Sequence, residues 1–169
     1  MPQPSEHTDN RNFVERILRK IPGFKGYLEK EYRRDSDALQ RKWLGDRLQR
    51  AKRGLDDLAV TLTDQGRLDA LPAVEKLRYR LDRLIGRIRG AMQGYSGVFD
   101  LVRIDETVLD EVYQHDLALV DRVETLGTRL EALPGKTGEA GEELAALTAE
   151  VDAIEKHWDD REDILRGLE

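Results

Sequence analysis

The stretch that decides the fold is ALPAVEKLRYRLDRLIGRIRGAM, residues 70–92. Its apolar residues recur in steps of three and four: Val74, Leu77, Leu81, Leu84, Ile88 and Ala91. Residues with this spacing form one stripe on an α-helix, like the seam of a coiled coil. The stretch therefore predicts an amphipathic helix that buries its seam against other helices.

The same periodicity appears in three other long segments, residues 27–63, 106–132 and 142–166, and in a short one at about 11–20. Asp116 and Arg161 are polar interruptions within two of these stripes. Short breaks between such segments favour neighbouring helices that pack side by side. The predicted fold is all-α: an elongated antiparallel bundle of three to four long helices with a short N-terminal amphipathic helix.

The domain organisation follows from the breaks between these segments. Polar residues 1–9 predict a disordered tail, because they offer nothing to bury. Residues 10–133 predict the bundle core. Residues 134–141 hold one proline and three glycines and predict a flexible link. Residues 142–169 predict an acidic C-terminal helix that packs on the bundle.

The composition and the absence of long apolar runs in the sequence predict the cellular compartment of the protein. The chain contains no cysteine, which excludes disulfides and thiolate chemistry. No apolar run approaches the ~18 residues that a membrane-spanning helix needs, and the polar N-terminus lacks the apolar core of a signal peptide. These features predict a cytoplasmic protein, with peripheral contact at the inner membrane face as an alternative.

Charge is divided unevenly along the chain. Residues 1–104 carry 22 Lys/Arg and 15 Asp/Glu, a net of +7, whereas residues 105–169 carry 6 and 19, a net of −13. Two interpretations follow. The acidic helices pack beside the basic ones and neutralise them, or a basic face stays free for an anionic partner.

Signals for catalysis, cofactors and metals are weak. Glu111 and His115 share a helix face, but no Glu-x-x-His pair accompanies them as it would in a di-iron bundle. Neither a nucleophile motif nor a glycine-rich phosphate loop occurs. We therefore predict no enzyme activity, no cofactor and no metal site. The alternative is a bundle interior that gathers polar residues such as Asp116 and Arg161.

Two groups of residues are candidates for binding. A basic surface drawn from two successive helices could contact an anionic partner, including nucleic acid, and consists of Arg47, Arg50, Lys76, Arg80, Arg83 and Arg87. A short helix that could lie on a membrane, or dock onto the bundle instead, presents Phe13, Arg16, Ile17, Arg19, Lys20 and Ile21. Both groups also fit solvated or packed helix faces without a ligand.

Two glycine-bearing motifs interrupt the helical pattern. They are Ile21-Pro22-Gly23-Phe24-Lys25-Gly26-Tyr27 and Gly94-Tyr95-Ser96-Gly97-Val98-Phe99-Asp100. In the second motif, Tyr95, Val98 and Phe99 predict a packed corner between helices. The motifs resemble those of a group of poorly characterised bacterial all-helical proteins over about residues 12–133. The resemblance implies the fold but no activity.

A looser architectural similarity links the chain to phage-shock-protein A and its relatives, in which a short amphipathic helix precedes long charged helices. That similarity implies work at a membrane surface. We predict first a non-catalytic helical scaffold or adaptor that binds another protein or itself. The alternatives are a protein that binds anionic membranes peripherally and one that binds nucleic acid through the basic helix face. No small-molecule substrate is predicted.

Overall fold

The molecule is a helical bundle. The computed structural model describes the backbone of residues 4–90 and 106–166, which contain no β-strand. The α-helices in these ranges are α1 (Pro4–Lys20), α2 (Lys30–Ala51), α3 (Arg53–Asp64), α4 (Leu71–Gly90), α5 (Glu106–Glu131) and α6 (Ala140–Arg166). The predicted all-α class is confirmed.

The predicted seam of α4 lies at the centre of the core. Val74, Leu77, Leu81, Leu84 and Ile88 are all completely buried. They join one apolar cluster with buried residues of the other helices. Burying each such side chain contributes about 1.5–3 kcal/mol. Burial of these regularly spaced side chains therefore stabilises the packing of the helices.

Ion pairs between helices define their relative directions. Arg122 of α5 pairs with Glu150 of α6, and Arg129, further along α5, pairs with the earlier residue Glu143. Helices α5 and α6 therefore run in opposite directions. By the same reasoning α4 and α6 run in the same direction, because the pairs Arg80–Asp152 and Arg87–Asp159 advance together.

The long helix predicted at 27–63 is divided into α2 and α3. The division falls at Lys52, whose backbone stays close to helical values (φ −56°, ψ −26°). Gly54 explains the local geometry, because a Cβ at this position would collide with the Leu130 carbonyl oxygen at the end of α5. Only a glycine allows α3 to pass this close to α5.

The N-terminal region differs from its prediction. Helix α1 begins at Pro4 rather than near residue 11, so it includes most of the tail predicted as disordered. After α1, residues 21–29 form a loop that buries Ile21, Phe24 and Tyr27. Gly23 and Gly26 adopt φ values of 90° and 84°, which other residues rarely accept.

The link between α5 and α6 contains two short 3₁₀ turns, Leu133–Gly135 and Thr137–Glu139. Leu133 is completely buried, and the Arg67 guanidinium donates a hydrogen bond to the Thr137 carbonyl. The predicted flexible link is thus tied to the bundle at both of its turns. The predicted corner of Tyr95, Val98 and Phe99 lies outside the described residues.

Candidate functional site

The bundle interior contains a cluster of polar side chains where the 21–29 loop meets α2, α5 and α6. We call it the buried polar cluster: Tyr27, Asp37, Gln40, Arg41, Asp116, Trp158, Arg161 and Glu162. Arg161 and Asp116 are completely buried and Arg41 is 2% exposed. Desolvating an ion this deep costs several kcal/mol, so each charge requires close partners.

Arg161 is the centre of this cluster. Its Nε donates to Asp116 Oδ1 at 2.5 Å, and its Nη2 donates to Asp37 Oδ1 at 2.7 Å. The same Nη2 lies 3.3 Å from the Tyr27 hydroxyl. Burial works against the charged form, but Asp116 and Asp37 outweigh it and hold the pKa of Arg161 well above its usual value. The guanidinium therefore joins three parts of the chain.

Arg41 forms the second cationic centre. It donates to Asp37 at 2.7 Å, to Glu162 at 2.9 Å and to the Ile88 carbonyl at 3.2 Å, which connects α2 to α4 and α6. The guanidinium carbons of Arg41 and Arg161 lie 4.6 and 5.0 Å from the centre of the Trp158 ring. An aromatic face attracts cations at this range.

Asp37 is shared by the two arginines. Burial opposes its ionisation, but Arg161 and Arg41 reverse that effect and lower the pKa of the carboxyl. Asp37 therefore remains ionised over the neutral pH range. Together with Asp116 and Glu162, it gives the cluster three carboxyl groups that face two guanidinium groups.

Tyr27 attaches the loop to the helices. Its hydroxyl donates to Asp116 Oδ2 at 2.5 Å, and its backbone N–H donates to the Tyr113 hydroxyl at 2.7 Å. The two tyrosine rings stack with centroids 5.4 Å apart. Burial and the neighbouring Asp116 raise the pKa of Tyr27 well above its usual value, so the hydroxyl keeps the proton that it donates.

Gln40 completes the hydrogen bonding around that hydroxyl. Its Oε1 also lies 2.5 Å from the Tyr27 oxygen, whereas its Nε2 has no partner. A hydroxyl has a single proton, and the carboxylate of Asp116 is the stronger acceptor. Rotating the amide by half a turn would let Gln40 Nε2 donate to the Tyr27 oxygen, but it would remove the 3.5 Å contact in which Oε1 accepts from Arg161 Nη2.

The predicted polar interruptions thus meet inside the bundle. Asp116 and Arg161 contact each other directly, as the alternative with a polar interior anticipated. Both side chains are completely buried and held by protein groups, and neither lines the grooves of about 860, 620 and 400 Å³ that the described part of the chain forms. The cluster can fix how the loop and three helices pack, because any other register would leave buried charges without partners.

Three arginines of the predicted basic face of α4 pair with acidic residues of α6, although Arg83 and Arg87 stay exposed. We call these contacts the α4–α6 ladder: Arg80–Asp152, Arg83–Glu155, Arg87–Glu155 and Arg87–Asp159. Burial of Glu155 opposes ionisation, but Arg83 and Arg87 outweigh it and lower the pKa of this carboxyl. For these three arginines, the acidic helix neutralises the basic one.

The other three residues of the predicted anionic-partner surface have different positions. Arg47 is only 5% exposed and donates to Glu131 at 2.7 Å and Glu124 at 3.2 Å. Gly127 provides the space, since a Cβ there would collide with the Arg47 guanidinium. Arg47 therefore belongs to the interior rather than to a partner surface. Arg50 and Lys76 are exposed.

The apolar stripe of α1 faces the bundle. Ile17 and Ile21 are buried, and Phe13 is half-buried against the core, while Arg16, Arg19 and Lys20 are exposed. An interfacial helix needs its apolar face free to enter a bilayer. This packing fits the alternative in which the helix docks onto the bundle instead of lying on a membrane. No helix in the described part of the chain is both long and apolar enough to cross a membrane.

Two histidines face each other between α5 and α6. The rings of His115 and His157 lie 4.4 Å apart, and the His157 Nε2 is 3.1 Å from the His115 carbonyl, to which it donates. Spacing in the sequence gives no sign of this contact, because the two residues lie on different helices. Residues 4–90 and 106–166 contain no group of three or more residues arranged to hold a metal ion.

An open surface lies along α2. Two adjoining grooves of about 860 and 620 Å³ share Leu39, Lys42 and Arg89, and we call them together the α2 groove. Apolar side chains along it are Ile21, Pro22, Leu39 and Trp43. Cationic side chains along it are Lys25, Lys42, Arg50, Lys52, Arg53 and Arg89. Of the predicted anionic-partner residues, only Arg50 lines this groove.

In comparisons with known proteins, the chain matches no family model, no curated protein and no solved structure. Its function must therefore be inferred from its own geometry.

Proposed function

We propose that this protein is a non-catalytic helical adaptor that acts by binding another protein or a second copy of itself. The observation that supports the proposal is the α2 groove, which combines exposed arginines with a partly exposed tryptophan. Protein interfaces are enriched in these two residue types. Among the other predicted cations, Arg47, Arg80, Arg83 and Arg87 form ion pairs within the molecule, whereas Lys76 is exposed outside the groove.

The proposal is tested by measuring mass in solution. Size-exclusion chromatography with light scattering, repeated from micromolar to millimolar protein, should detect self-association if the partner is a second copy. Affinity capture from lysate, followed by reconstitution with the purified partner, should detect a different protein. A strict monomer at every concentration that also forms no reconstituted complex would contradict the adaptor proposal.

The membrane alternative has less support, because Phe13 and Ile17 pack against the core. Flotation with vesicles rich in anionic lipid provides the test, and we expect the protein to stay in the bottom fraction. Flotation that is lost when residues 1–22 are deleted, while the shortened chain remains folded, would favour membrane binding.

The nucleic-acid alternative depends on the α4 arginines, which are paired with α6. A gel shift at low salt with duplex and single-stranded oligonucleotides is the appropriate test. We expect no shift, and a shift whose strength falls steeply with added salt would favour this alternative.

A further inference from the structure

We propose that the α2 groove binds an acidic segment of a partner protein that also carries apolar side chains. This inference depends on the adaptor function proposed above and names the chemistry of the partner. It follows from the balance of charge in the groove, from its apolar wall and from the position of two arginines.

Charge in the groove favours an acidic ligand. Six cationic side chains line it, against three carboxylates, Asp35, Asp46 and Asp56. Asp46 is already held by Lys42 at 2.5 Å and by Arg89 at 2.8 Å. Asp56 is held by Arg78 at 2.6 Å, outside the groove. Lys52 is held in the same way by Asp82 at 2.7 Å, also outside the groove. The excess of cations over carboxylates therefore remains, and Arg50 and Arg53 are groove cations that form no ion pair within the described part of the chain.

Arg50 and Arg53 are the cations best placed to bind. Both are exposed, and neither has an ion-pair partner within the described part of the chain. They are three residues apart across Lys52, whose near-helical backbone keeps them on neighbouring positions of one face. Two guanidinium groups side by side can each bind a carboxylate through two parallel hydrogen bonds.

The apolar wall distinguishes a protein segment from a simple anion. Trp43 and Leu39 are half-buried in the core and half-open to the groove. Trp43 precedes Arg50 by two helical turns, so it lies on the same side of α2. A tryptophan beside arginines suits a ligand that alternates carboxylates with aliphatic side chains.

The same features argue against nucleic acid as the ligand. A nucleic-acid backbone places phosphates continuously along the groove, where it would meet Asp35, Asp46 and Asp56. The chain as a whole carries a net charge of −6, which repels a long polyanion. A short acidic segment meets less repulsion from both sources, because it carries fewer charges than a long polyanion and can space them around the carboxylates.

The test uses the full-length chain and a fluorescently labelled peptide of repeated Glu-Glu-Leu-Leu units, followed by anisotropy. The wild-type protein should bind it, and added salt should weaken the binding because exposed charges are screened. Arg50→Glu combined with Arg53→Glu should weaken it by at least about tenfold, since it reverses both charge contacts. Trp43→Ala should also weaken it.

Matched controls separate the groove from general electrostatics. Arg11→Glu combined with Lys136→Glu makes the same change in net charge at two exposed positions outside the groove, and it should bind like the wild type. Circular dichroism and urea unfolding should show that the Arg50/Arg53 variant folds normally, because both side chains are exposed. A peptide with Lys in place of Glu should not bind.

Several outcomes would overturn the inference. These are no binding of the acidic peptide by the wild type, equal weakening by both double variants, or tighter binding of a single-stranded oligonucleotide than of the peptide. If R50E/R53E leaves complex formation or self-association unchanged, the adaptor proposal still holds, but the α2 groove is not the binding site. Self-association that R50E/R53E abolishes would make a second copy the occupant instead of a partner protein.

Discussion

At the scale of single residues, Gly26 is the position where the loop depends most directly on backbone geometry. Its φ is +84°, and a Cβ would lie 2.5 Å from the Tyr113 hydroxyl. That hydroxyl accepts the Tyr27 N–H, so a side chain at Gly26 would break the contact that attaches the loop to α5. Strain at positive φ adds about 1–2 kcal/mol, and an unsatisfied buried N–H adds about 1–3 kcal/mol.

We therefore expect Gly26→Ala to lower the free energy of unfolding by about 3 kcal/mol, measured by urea titration. Gly66→Ala is the matched control. Gly66 also has positive φ, at +72°, but a Cβ added there would meet no atom within 4 Å. Gly66→Ala should lower the free energy of unfolding only by the strain at positive φ, about 1–2 kcal/mol. Equal losses at the two positions would show that the Tyr113 contact does not matter.

Arg161 is the residue on which the buried polar cluster depends. Arg161→Met would leave Asp116 and Asp37 without their shared cation, and breaking a buried pair in this way costs about 3–5 kcal/mol. Urea unfolding should show a loss of that size. Adding Asp116→Leu should recover part of it, because this removes the buried carboxylate that lost its cation, whereas Asp37 keeps Arg41. Arg122→Met, at a half-exposed pair with Glu150, should cost under about 1 kcal/mol.

At the scale of helices, the α4–α6 ladder holds two elements that run in the same direction. Glu155 is its central acid, 2.7 Å from Arg83 and 2.6 Å from Arg87. Glu155→Lys would place three cations together, and we expect a loss of about 1–3 kcal/mol in the free energy of unfolding. Reversing the charges at Arg83 and Arg87 to Glu in the same chain should restore much of it.

Salt provides an independent check on the ladder. In about 1 M salt the screening length falls to about 3 Å, so the defect of Glu155→Lys should shrink. Lys156→Ala is the control, because its pair with Asp160 lies on the exposed side of one helix, and it should change stability by less than about 0.5 kcal/mol. A salt-independent defect would mean that packing, not charge, connects α4 to α6.

At the scale of the whole molecule, stability should depend on pH in two steps. Burial, together with the adjacent His115 and Arg122, lowers the pKa of His157, although Asp160 and the His115 carbonyl oppose the shift. The unfolded chain therefore binds this proton more readily than the folded one, and stability should fall as the pH drops below about 6.5. Asp37 and Glu155, whose pKa values are lowered, should cause a second loss below about pH 4.

Replacing His157 separates the two steps. His157→Gln keeps a hydrogen-bond donor for the His115 carbonyl but does not titrate. The variant should therefore show a flatter stability profile between about pH 7 and pH 5 while keeping the loss at lower pH. Urea midpoints measured across this range provide the test. An unchanged profile would show that the histidine contact does not control the first step.

Prediction from sequence succeeded where the information is local. Spacing alone places Leu77, Leu81 and Leu84 in the core, since a stripe at 3.6-residue periodicity must face one direction. Gly45 and Gly54 made a bend in this long helix plausible from the sequence, but spacing could not show that Gly54 is required where α3 meets Leu130. For the same reason spacing could not distinguish Arg47, which is buried beside Gly127, from Arg50, which is exposed.

By itself, the amino-acid sequence determined the helical class, the core-facing stripes and the division of charge between the two parts of the chain. These depend on periodicity and composition, which are properties of neighbouring residues. Only the tertiary structure decided which arginines form ion pairs within the molecule and that Asp116 meets Arg161. Those outcomes depend on which helices lie side by side, and contacts between residues far apart in the chain leave no periodic trace in it.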